Sequence, residues 1–289
     1  MIHLTIQWFP GHMAKARREV EEKLKLVDLV IELIDARAPI SSENPMLREV
    51  IGDKKKLIVL MKSDLADAKM TQQFINYYKS NGHDAISINV NNRNDIQSLL
   101  KLAEKISGEI NERRISKGIN PRSLRAMIVG IPNVGKSTLI NRLANRKRAQ
   151  TGDRPGITKQ QQWIKIQDQF ELLDTPGILW PKFEDQEIGY KLAAIGSIKD
   201  EILHLDDIAI FILKYLKQHY PTVLTERYGL NLEEEDIVIW FDTIGKKRGC
   251  LASGGVVDYE KTADVILKDF RSGKLGQITL DQIPNECYR

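Results

Sequence analysis

The chain has 289 residues, 42% of them hydrophobic and 28% charged, which excludes a largely disordered protein and leaves room for two domains. No apolar run approaches the ~18 residues of a membrane-spanning helix, residues 1–25 lack a signal peptide's apolar centre, and Glu19, Glu21 and Glu22 argue against a transit peptide. A net charge of +4 suits a nucleic-acid partner and a plain solvated surface equally, and two cysteines without metal-like spacing, Cys250 and Cys287, point to a reduced, cytoplasmic setting.

Taken in chain order, LVIELID (29–35) is a compact apolar run suited to a buried strand, followed by a loop, ARAPISSENP. LIVLM (57–61) predicts a second strand and residues 67–80 a helix. DAISINV (84–90) predicts a third strand, and 95–114 a long helix with Ile96, Leu99, Leu100, Ala103 and Ile106 along one face. GINPRS (118–123) is a polar linker. LRAMIVG (124–130) then predicts a strand entering a Gly-containing loop, with a helix from 136, and QWIKIQ with FELLD predicts a hairpin that ends in DTPG. Strands separated by helices predict an α/β fold, a doubly wound, parallel or mixed sheet covered on both faces. After about Pro181 the spacing turns helical in YKLAAIGSI, DDIAIFILKYLKQHY and DIVIWFDTIGKK, with LASGGVVD (251–258) as a loop. The chain is therefore expected to divide into an α/β domain, 1–181 with the N-terminal segment 1–24 included, and an α-helical C-terminal domain, 182–289.

Gly130 to Ser137, GIPNVGKS, fits GxxxxGK[ST] between a strand and a helix. Glycines there let backbone N–H groups close around phosphates, so Asn133, Val134, Gly135, Lys136, Ser137 and Thr138 are candidate phosphate contacts. Lys136 would reach the β/γ oxygens, with a catalytic role, and Ser137 would ligate Mg²⁺. Downstream, Asp174 of DTPG would hold Mg²⁺ through a water, and the Gly177 N–H would sense the γ-phosphate. Between them, Thr158 of GDRPGIT is a candidate for both the γ-phosphate and Mg²⁺. Guanine needs a carboxylate that accepts from N1–H and the exocyclic amine, where adenine offers no such pair of donors. Met61-Lys62-Ser63-Asp64 follows the strand LIVL, with Lys62 placed to stack its stem on a base and Asp64 to take the two donors. Met61 departs from the usual NKxD and lacks its amide, which keeps an ATPase of relaxed base choice among the readings. SINV (87–90) would close over the base through backbone N–H groups or Asn89.

These parts run in the order base site, base loop, P-loop, first switch, second switch, whereas ordinary small GTPases begin with the P-loop. Termini of compact α/β domains lie near each other, so GINPRS can join the old ends in a circular permutation.

With WFPGHMAKA (8–16), IDARAP (34–39), the permuted order and a helical tail, nearly the whole chain resembles the circularly permuted GTPases of the ribosome-assembly class. The resemblance implies GTP/GDP and Mg²⁺ as ligands and a role in late maturation of the large ribosomal subunit. The implied partners are that subunit and its precursor, with rRNA contacted by the tail; neither a membrane nor DNA is implied. It also accounts for Ile178, which stands where many P-loop hydrolases have the Gln that orients water. The family's histidine corresponds to His12, and neutral imidazole can accept from water near neutral pH. Asn133 resembles the asparagine that helps bind K⁺ in cation-dependent GTPases, an alternative to a simple loop amide. Lys15, Arg17, Arg18, GKKRG (245–249), Lys261, Lys268, Arg271 and Lys274 are candidate rRNA phosphate contacts, against the reading of solubilising charge. A nucleotide-gated RNA-binding switch with negligible hydrolysis is the competing function.

Overall fold

A computed structural model describes residues 18, 20–52, 54–144, 163–166, 170–174 and 185–284, with the backbone alone at Asp174. The apolar runs form β1 (Leu29–Asp35), β2 (Lys56–Met61), β3 (Asp84–Ile88) and β4 (Leu124–Gly130). The expected hairpin is β5 (Trp163–Ile166) with β6 (Phe170–Asp174). They make one sheet in the order β3-β2-β1-β4-β6-β5, parallel except at the β5–β6 pair.

Strand side chains alternate between faces, and the core follows that alternation. Leu29, Ile31 and Leu33 join one cluster with Leu99, Ile106, Leu139 and Ile140. Val30 packs on the other face with Leu47 and Ile51, and Ile34 there with Phe74 and Tyr78. Helices thus cover both faces: α1 (Pro45–Ile51) and α2 (Ala68–Ser80) on one, α3 (Arg93–Ile115) and α4 (Lys136–Leu143) on the other.

β4 lies at the centre of the sheet, between β1 and β6, although three strands precede it in the chain. A chain opened before β4 and closed after β3 would trace the same sheet, which is the permutation expected from motif order. The joining linker is pinned rather than loose. Asn111 Nδ2 donates to the Arg122 carbonyl at 3.1 Å, and Arg114 and Arg122 both reach Asp28, at 2.7 and 3.0 Å.

The C-terminal part is helical: α5 (Gln186–Ala194), α6 (Leu205–His219), α7 (Pro221–Tyr228), α8 (Ile237–Arg248) and α9 (Tyr259–Arg271). α6 and α9 each bury six residues and pack against each other. Buried residues of the sheet and of α5, α6 and α9 belong to one continuous apolar cluster, so the helical part is packed against the α/β part. The expected division at 181/182 lies outside the described residues. No helix among the described residues is long and apolar enough to cross a membrane.

Two local differences from the expectation have simple causes. The loop after β1 ends in α1, started by the Asn44 side chain accepting from the Met46 N–H and by Pro45 at the first position. β3 stops at Ile88, short of Val90, because the Asn89 N–H is taken by Asp95 Oδ2 at 2.8 Å.

Candidate nucleotide site

Parallel pairing brings the ends of β1, β2 and β4 together: Asp35 lies opposite Met61, and Leu33 opposite Gly130. Ligands of doubly wound sheets bind at such carboxyl ends. Gly130 has φ +154°, and a Cβ there would stand 2.5 Å from the Leu33 carbonyl oxygen, so only glycine lets the loop leave β4 this close to β1. Gly135, at φ +107°, caps α4. Between them Asn133 takes a left-handed conformation, φ 58°, and Val134 is fully buried. Lys136 opens α4 and folds back along the loop, its Nζ donating to the Gly130 and Ile131 carbonyls at 3.0 and 2.8 Å. Ser137 is half-buried and Thr138 exposed. Loop, lysine and helix start have the form of a phosphate cradle.

The base motif follows β2. Met61 is buried, and its Cε lies 3.2 Å from where a Gly135 Cβ would be, so this side chain packs beneath the P-loop. The missing amide is replaced by an apolar brace. Lys62 is left-handed, φ 58°, and leads into a 3-10 turn at Ser63–Leu65, where Ser63 is half-buried and Asp64 exposed. Lys62 Nζ donates to Asp35 Oδ2 at 2.9 Å. The same carboxylate receives Arg37 through Nε at 2.9 Å and Nη2 at 2.7 Å, a bidentate pair buried to within 2%. Burial would raise the Asp35 carboxyl, but the Arg37 guanidinium and the Lys62 ammonium together hold it well below the usual carboxylate range. Burial pulls the Lys62 ammonium down against the attraction of Asp35. Asn89 braces its own turn, its side-chain oxygen accepting from the Asn91 N–H at 2.9 Å.

Lys62, Leu65, Asn133, Gly135 and Thr138 line one cavity of about 1000 Å³, so Lys62 and the P-loop, distant in the chain, share one opening; Ser63, Asp64, Asn89, Lys136 and Ser137 are not among its lining residues. The helical part completes it. Asn133 Nδ2 donates to the Gly196 carbonyl at 2.9 Å, and Arg37 Nη2 to the Ile195 carbonyl at 3.1 Å, with its guanidinium over the Phe270 ring. An extended C-terminal strap then crosses the base loop. The Ile278 N–H donates to the Leu65 carbonyl at 3.1 Å, the Leu280 N–H to the Arg37 carbonyl at 2.6 Å, and Gln277 Nε2 to the Asp64 carbonyl at 3.3 Å.

Asp35 and Arg37 received no role from the chain's spacing, although IDARAP marks them. Arg271, a candidate rRNA contact, is instead fixed within the protein. It donates to the Ala193 and Ala194 carbonyls at 2.8 and 3.0 Å and forms two contacts with Asp200, at 2.7 and 2.8 Å. Lys268 is paired with Asp264 at 2.5 Å and Lys261 with Asp258 at 2.9 Å. His12, Lys15, Arg17, Thr158, Gly177 and Ile178 lie outside the described residues. Asp174 is placed by its backbone alone, ending β6 opposite Ile128 of the P-loop strand.

A family model described as a 50S ribosome-binding GTPase matches residues 125–251. Over 278 residues the chain is 56% identical to ribosome biogenesis GTPase A of Bacillus cereus, which covers 96% of this chain and 94% of that one. It is 55% identical to the protein of the same name from Priestia megaterium, over 98% and 99% of the two chains. The crystal structure of GNP-bound YlqF from T. maritima superposes with a TM-score of 0.65 at 28% identity, covering 93% of this chain and 98% of that one. The likenesses to the two relatives and to the solved structure run nearly end to end, and so take in both the P-loop and the base motif. The chain binds guanine nucleotide, hydrolyses GTP, and belongs to the ribosome biogenesis GTPase A family.

Proposed function

We propose that this GTPase binds the precursor of the large ribosomal subunit in the cytoplasm and couples GTP hydrolysis to a late assembly step, its turnover raised by the subunit. The observation that carries this reading is the match of residues 125–251 to a family described as 50S ribosome-binding. In this reading the P-loop N–H groups and Lys136 hold the β- and γ-phosphates and stabilise charge that develops during transfer. Lys62 supports the base, and Asp64 accepts from N1–H and the exocyclic amine of guanine.

The oxygen-bearing side chains suit Mg²⁺, a hard cation that takes oxygen ligands. Ser137 stands half-buried at the start of α4, next to the P-loop lysine, and Asp174 ends the strand paired with β4. Ser137, Thr158 and Asp174 would hold the ion, which when bound neutralises charge on the phosphate oxygens. A K⁺ role for Asn133 would use its carboxamide oxygen, since its nitrogen donates to Gly196.

His12 is proposed to orient the attacking water in place of the absent glutamine, which makes turnover depend on a partner that positions the N-terminal segment. Arg18, Lys246 and Lys247, all exposed, are proposed rRNA phosphate contacts. The experiment is GTP turnover with and without isolated large ribosomal subunits, wild type beside His12→Ala. Strong stimulation of the wild type, lost in His12→Ala with GTP binding intact, is expected. Unstimulated wild-type turnover would favour the nucleotide-gated switch, and stimulation retained in His12→Ala would remove that residue from the mechanism.

A further inference from the structure

The cavity shared by Lys62 and the P-loop is walled in part by the helical part. That wall runs from Ile195 to Glu201, after α5, and from Lys268 to Lys274, at the end of α9. Four of its side chains are cationic, Lys199, Lys268, Arg271 and Lys274, and two are acidic, Asp200 and Glu201. Their charges are not equally available. Arg271 and Asp200 neutralise each other in a two-point pair, and Lys268 is held by Asp264. Lys274 lies 3.9 Å from Asp269, a carboxylate already occupied by Arg227 at 2.9 Å and Arg248 at 3.5 Å. Lys199 is exposed and has no ion pair among the described residues.

The wall is also held in place. Arg271 fastens α9 to the Ala193 and Ala194 carbonyls and to Asp200, which tie the turn carrying Lys199 to α9 on both sides. Three residues earlier, Gly196 accepts from Asn133 of the P-loop, which keeps the turn against the phosphate cradle. Lys62 of the base motif and Asn133, Gly135 and Thr138 of the P-loop region line the same cavity as this wall, so a nucleotide held by both would face it.

We propose that the helical part is the second half of the nucleotide site, with Lys199 and Lys274 contacting the α-phosphate and ribose of the bound guanine nucleotide. The proposal rests on the cavity being the guanine-nucleotide site. It makes the nucleotide a bridge between the two parts of the chain: an ammonium facing a phosphate forms a charge-assisted contact.

The test is GDP affinity of the full chain, measured for wild type, Lys199→Ala/Lys274→Ala, and Lys69→Ala, an exposed lysine on α2 that does not line the cavity. Unchanged circular dichroism and melting temperature show that each variant folds. The double variant is expected to bind GDP roughly tenfold more weakly or worse and with a shallower salt dependence, with Lys69→Ala matching wild type. Lys199→Arg, which keeps the charge, should retain most of the affinity. Wild-type affinity in the double variant, or an equal loss in Lys69→Ala, would overturn the proposal while leaving the site intact; failure of wild type itself to bind GDP would overturn the site reading as well.

Discussion

Arg37 shows how one side chain serves two regions. Its guanidinium satisfies both oxygens of Asp35, donates to a carbonyl after α5 and covers Phe270 of α9, all out of water. Asp35 in turn holds Lys62 of the base motif. Removing Arg37 would leave a buried carboxylate with only Lys62 to offset it, a change of the kind that costs about 3–5 kcal/mol. Arg37→Ala is therefore expected to lower the urea midpoint sharply, and Lys would not substitute for the two-point geometry. The pH dependence follows from the direction of the shift. The folded-state pKa of Asp35 lies below the unfolded value of about 4, so its stabilisation is complete above that value and fades as pH falls toward the folded one. The stability gap between wild type and Arg37→Ala should accordingly be widest above about pH 4 and narrow in acid.

At the scale of elements, the strap after α9 does what a strand or helix does elsewhere, through individual bonds. Asp281, 3% exposed, accepts from the Ser41 N–H at 2.8 Å and the Ser41 hydroxyl at 2.7 Å, and pairs with Lys191 at 3.1 Å. Thr279 lies between the Asp67 N–H and the Ala36 carbonyl. Asp281→Ala is expected to cost about 2 kcal/mol by stranding these buried donors. Amide hydrogen exchange should rise in residues 36–42 and 62–67 while the sheet stays protected; an unchanged pattern would mean the strap does not hold those loops. Such contacts leave no periodicity in the chain, which is why 275–282 were expected only as part of the helical domain and not as a strap. The strands were legible because each is a short apolar run bounded by breakers, as LVIELID is by Asp28 and the ARAP turn. α1 was not read from the sequence: its seven residues offer too few turns for a helical period to stand out, and the Asn44-Pro45 pair that caps and starts it falls in what reads as a loop.

At the scale of the whole molecule, motif order alone pointed to permutation, because GIPNVGKS cannot follow MKSD in an unpermuted sheet of this kind. The sheet order, with the P-loop strand at its centre, accounts for that order physically. The sequence could not reveal that the helical part walls the cavity shared by Lys62 and the P-loop, since Gly196 and Arg271 reach their partners across 63 and 71 or more positions by carbonyls and paired charges without a motif. Nor could it tell that Met61, read as a lost amide, packs against Gly135 instead. The central claim is that a carboxylate from the first half of the chain reads the base of a nucleotide held by the P-loop of the second. The most direct measurement is the GDP-to-XDP affinity ratio of wild type and Asp64→Asn. Xanthine keeps N1–H but carries an oxygen in place of the exocyclic amine, so an Asn amide complements it as Asp complements guanine. A preference for GDP in wild type that reverses toward XDP in Asp64→Asn is expected; an undiminished preference for GDP in the variant would contradict the claim.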